Sequence, residues 1–144
     1  MMRLVVLLLA GLTLPVFAAV IDWPAALRGV AAGDVDWLER TPELAAVADI
    51  KQAQELEDAL AVALTTNTRA TLVALRKIDA GNWPHMIGTD IVCTPPTDKP
   101  SAEVIAFYQR TRQALLKTSE GAQCLWVLEA SWEELNADKA RQGR

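Results

Sequence analysis

The chain has 144 residues, 51% of them hydrophobic and 22% charged, with a formal net charge of −4. That is the length of one ordinary domain able to bury a core of its own. Mild acidity with scattered Lys and Arg argues against nucleic acid and anionic membrane surfaces, which call for a basic patch.

The first residues read as an export signal. Arg3 supplies a short positive region, Leu4 to Leu14 an apolar run, Pro15 a break, and Val16-Phe17-Ala18 the small residues a signal peptidase reads. Cleavage is expected after Ala18, with Ala19 as the alternative, and no cysteine follows closely enough to carry a lipid. An apolar run of eleven residues is short for a membrane span. The expected organisation is a signal peptide over 1–18 and a single helical domain over 19–144, periplasmic or secreted and not stably inserted in the membrane. Removal of Arg3 with the signal takes the formal charge from −4 to −5.

Asp22-Trp23-Pro24 looks like a helix start, with Pro where a missing N–H costs nothing. Ala25 to Ala32 is a short helix that Gly33 can end in a left-handed cap, and Asp34 caps a second short turn holding Val35, Trp37 and Leu38. Thr41-Pro42-Glu43 reads as a capping Thr, a first-turn Pro and an acid at the positive helix end. A short helix follows, then a longer one over Asp49 to Thr65, where Ala53, Leu56, Leu60, Ala63 and Leu64 keep a helical period. Thr66-Asn67-Thr68 is expected as a loop or tight corner. Arg69 to Ala80 is helical again, with Leu72, Leu75 and Ile78 on one side and Gly81 as the stop.

The next stretch cannot be one helix. From Gly81 to Pro100 it carries two glycines and four prolines, yet Trp83, Met86, Ile87, Ile91 and Val92 make it too apolar for a solvated linker. Thr89 to Thr94 could add a short extended piece, with no partner strand in view. Ser101 then starts a helix striped with Val104, Phe107, Tyr108, Thr111 and Leu115. The last helix runs from Ala122 to about Ala140 and is expected to bury Cys124, Leu125, Leu128, Trp132 and Leu135, with Trp126 and Val127 widening that face.

Cys93 and Cys124 are the only cysteines, and an exported chain carries them into an oxidising space where a pair joins. Their bond closes a loop of about 32 residues, which the chain-entropy treatment values at roughly 3–4 kcal/mol. The fold expected is therefore all-α: a small bundle of about five or six helices with one long non-helical connection, near 81–100, pinned by a disulfide. Gly33-Asp34-Val35-Asp36-Trp37-Leu38 resembles the helix–loop rhythm of an ankyrin unit, but nothing recurs at that period. The helix pattern from Gly33 to Leu75 resembles that of small exported bacterial proteins with no assigned activity, and so implies no function.

Chemistry is looked for first at His85, the only histidine. A nucleophilic triad needs a base, a nucleophile and an orienting acid. Asp90 is near, and Ser101, Ser119 and Ser131 exist, but none sits in a Gly-x-Ser-x-Gly context. His85, Met86, Asp90 and Cys93 fall within nine residues, but a disulfide leaves no thiolate, and the remaining ligands are too few for zinc. Glu129, Glu133, Glu134 and Asp138 on the last helix read as a solvated face. Five tryptophans stand against two phenylalanines in the whole chain. Trp83, in the pinned connection, is expected to anchor it or to meet a partner, tryptophan being enriched at interface hot spots.

With no catalytic or cofactor signature, the expectation is a non-enzymatic interaction protein without cofactor or metal, of inhibitor or immunity type, binding another envelope protein. Trp83, His85, Met86 and Asp90 are the candidate interaction residues. The alternative is a carrier or sensor of a small apolar ligand, held in an inter-helix pocket lined by Trp83, Met86, Ile87 and leucines.

Overall fold

A computed structural model describes residues 20–82 and 85–143. The signal-peptide reading and Trp83 lie outside those residues. The described chain forms eight helices and no strand, an all-α fold. They are α1 (Trp23–Ala31), α2 (Val35–Glu39), α3 (Thr41–Val47), α4 (Ile50–Thr66), α5 (Thr68–Asp79), α6 (Thr89–Val92), α7 (Ser101–Leu116) and α8 (Ala122–Gln142). The count exceeds the five or six expected because two short helices, α2 and α3, form separately and because α6 forms inside the connection.

Local chemistry sets most of the helix ends. Asp22, Asp34 and Asn67 each accept a hydrogen bond from a backbone N–H in the first turn of α1, α2 and α5. Asp49 and Gln52 form a full capping box at α4. Thr41 behaves otherwise than its sequence context suggests. Its hydroxyl is fully buried and donates to the Leu38 carbonyl at 2.7 Å, so it ties α3 back onto α2 and caps nothing. The expected corner between α4 and α5 shrinks to Asn67 alone.

α4 is the central element. It buries Ala53, Leu56, Ala59, Leu60, Ala63 and Leu64 and meets α1, α5, α6 and α7. Removing a leucine-sized group from such a site costs about 2–5 kcal/mol. α1 packs against α4 and brings Ala26 and Val30 to the core.

The α1–α2 turn is tied to the α4–α5 corner. Gly33 adopts φ +77°, and a Cβ there would meet the Asn67 side chain at 2.7 Å. In that space Asn67 Nδ2 donates to the Gly33 carbonyl at 3.0 Å, and the Thr66 hydroxyl donates to the Ala31 carbonyl at 2.8 Å.

α8 corrects the expected core. Cys124, Val127 and Leu128 are buried, Trp132 and Leu135 are only half-buried, and Trp126 is 72% exposed. At 3.6 residues per turn, Trp126 lies on the far side of the helix from Cys124 and Leu128. Glu129 does not belong to a solvated face either. It accepts from the Tyr108 hydroxyl at 2.8 Å and from Arg112 Nε at 2.6 Å, which joins α8 to α7 beside the stacked rings of Tyr108 and Trp132.

Candidate binding cleft

Cys93 and Cys124 are bonded, with Cα atoms 5.4 Å apart and both residues buried. The bond fixes the end of α6 to the first turn of α8. A second tie holds the other end of α6. The Asp79 carboxylate, at the end of α5, accepts from the Thr89 backbone N–H at 2.9 Å and from the Thr89 hydroxyl at 2.5 Å. A carboxylate on the first N–H groups satisfies donors that have no partner within the helix. This is why residues 89–92 turn helical where the sequence suggested a short extended piece. Thr94 adds a third tie: its hydroxyl donates to the Asp90 carbonyl at 2.6 Å and lies 3.3 Å from Ser131 Oγ on α8.

The candidate residues separate on this frame. His85 is half-buried in a turn, Met86 is 79% exposed with φ +53°, and Asp90 is exposed in the first turn of α6. A positive φ is rare for a side chain of methionine's size. Met86, Ile87 and Asp90 border a hollow of about 380 Å³ that also touches Ile78, Asp79 and Gln123. Among the described residues no three His, Cys, Asp or Glu side chains gather into a metal-ligand set.

On the other side of α6 lies a larger cleft, of about 850 Å³, walled by α4, by the chain from Asp90 to Lys99, and by α7. Its volume is that of known ligand sites. Ala61, Val92, Pro95 and Phe107 give it an apolar base, while Val62 and Ile91, 51% and 44% exposed, stand at its edge. Thr111 is fully buried against it, with a hydroxyl that meets no hydrogen-bond partner among the described residues.

Carboxylates ring this cleft: Glu57, Asp58, Asp90, Asp98 and Glu103, against Lys99 and Arg110. Partial burial, and then the neighbouring Asp58, hold the Glu57 carboxyl above its ordinary value of 4.5. Among the described residues, of His85, Met86 and Asp90 only Asp90 reaches both this cleft and the smaller hollow.

Sequence reasoning missed Glu57, Asp58, Glu103 and Phe107. Glu57 and Asp58 directly follow the buried Leu56, and the recurrence of Ala61, Val62 and Thr65 along one side of the helix was the available signal. It could not be read as a site without knowing that α7 lies opposite.

No protein-family model matches the chain, and no curated protein or solved structure is significantly similar to it.

Proposed function

We propose that this is an exported, non-enzymatic binding protein, of inhibitor or immunity type, that receives a segment of another envelope protein in the α4–α6–α7 cleft. The export pattern over residues 1–18 and a disulfide between the only two cysteines support a periplasmic or secreted location. Among the described residues no helix is long and apolar enough to cross a membrane.

The observation that carries the reading is the fixed wall of the cleft. α6 is held at one end by Asp79 and at the other by the Cys93–Cys124 bond, so the cleft edge is formed before any partner arrives. Pre-formed edges spare a binding event the cost of ordering a loop.

A small apolar ligand at Met86 and Ile87 is the weaker reading. That hollow holds about 380 Å³, and its most prominent apolar side chain, Met86, stands 79% exposed.

The test is capture from an envelope extract of the source cells on immobilised mature protein. Val62→Glu/Ile91→Glu, which alters exposed side chains at the cleft edge, is run in parallel. One stoichiometric partner retained by the native chain and lost by the variant is expected. Nothing above background, or equal capture by both, overturns the reading.

A further inference from the structure

We propose that the segment received by the α4–α6–α7 cleft is cationic and amphipathic, an extended stretch of polypeptide in which Lys or Arg alternates with apolar residues. The inference rests on the binding reading above and adds the chemistry of the partner.

Charge gives the first part. Lys99 lies 3.8 Å from Asp98 and answers it. Among the described residues no ion pair joins Glu57, Asp58, Asp90 or Glu103 to a cation. Arg110, the other cation of the lining, joins no ion pair among the described residues either, so the cleft counts five carboxylates against two cations. The cleft therefore carries an excess of carboxylates that a cationic partner would complement, and complementary charge of this kind selects partners and speeds encounter.

Shape gives the second part. α4 contributes residues from Glu57 to Thr65 and α7 residues from Glu103 to Thr111. Each is a run of about 12 Å at 1.5 Å per residue. An extended chain covers that distance in about four residues and sends successive side chains to opposite sides. One set would meet the apolar base at Ala61, Val92, Pro95 and Phe107, and the other the acids at the edge. A free polyamine would satisfy the edge and leave the base uncovered.

The experiment uses the mature, oxidised protein and fluorescence anisotropy of three labelled probes: a short peptide alternating Lys with Leu, the same peptide with Glu for Lys, and spermidine. The Lys peptide is expected to bind, to weaken with added salt, and to weaken about tenfold or more on Asp58→Lys/Glu103→Lys, since both positions are exposed and each reversal turns attraction into repulsion. Circular dichroism and the urea midpoint show whether the variant is folded, and the neutral Asp58→Asn/Glu103→Gln is expected to fall between the two. Equal binding of the Lys and Glu peptides, indifference to the reversals in a folded variant, or binding of spermidine without the Lys peptide overturns the inference. An envelope partner captured equally well after the reversals, yet lost on Val62→Glu/Ile91→Glu, would overturn the cationic chemistry and leave the binding reading standing. No partner at all would remove the reading itself.

Discussion

The carboxylate of Asp79 takes two hydrogen bonds from Thr89, at 2.9 Å from the backbone N–H and 2.5 Å from the hydroxyl. It caps a helix ten residues ahead, and so closes the loop that carries His85 and Met86. Gly88 makes the approach possible, because a Cβ there would come within 2.4 Å of Asp79 Oδ1.

Asp79→Ala should destabilise the fold by about 1–3 kcal/mol, the cost of leaving such donors without their acceptor. Gly88→Ala should cost a similar amount alone and much less in the Asp79→Ala background, because each change removes the same pair of bonds. Urea denaturation of the two single variants and the double variant measures this coupling. Strictly additive costs would mean that Asp79 and Gly88 act separately.

Cys93→Ala/Cys124→Ala should lose about 3 kcal/mol in the same measurement, and reduced native protein should lose a comparable amount. The bond joins α6 to α8 across a sequence separation of 31, so its loss frees the cleft wall as well as the chain. A reduced protein as stable as the oxidised one would show that packing alone holds α6.

Tyr108 is the only tyrosine, so tyrosinate absorbance reports one site. Burial, and then the hydrogen bond to Glu129, hold its phenol above the ordinary value of 10.0, while Arg112 pulls the other way. An alkaline titration should therefore show a raised midpoint that Glu129→Gln lowers and Arg112→Met raises. Movement of both variants in one direction would contradict the network.

Glu57 makes the opposite kind of contribution to stability from a salt-bridged acid. Its carboxyl is raised from 4.5 in the fold, so the stability it contributes is fully present below that value and is lost as pH rises through the folded value. Glu57→Gln should therefore be more stable than the native chain at neutral pH, by less than about 1 kcal/mol for a partly solvated group. The gap should close as pH falls below 4.5. Stability curves against pH for the two proteins test the sign.

Much of this architecture was legible because its helix signals are local. Asp22, Asp34, Asp49 and Gly33 announce ends within a few residues, and the period of Leu56, Leu60 and Leu64 gives the face of α4 directly. The misread parts depend on distant partners. Thr89 to Val92 turns helical on a carboxylate from α5. Trp126 looked like core by its type, and its position opposite Cys124 leaves it in solvent. Glu129 looked solvated among other acids until Arg112 and Tyr108 came beside it. The cleft was invisible for the same reason, since α4 and α7 are separated in sequence by two helices and the whole connection.

Residues 20–82 contain no cysteine, yet they hold five of the eight helices and the Thr66–Ala31 and Asn67–Gly33 ties. None of the internal ties of that half depends on sulfur. The sulfur bond lies wholly in the other half, where α8 meets α6 and α7, so it staples the later elements to one another and leaves the first five helices to their own packing.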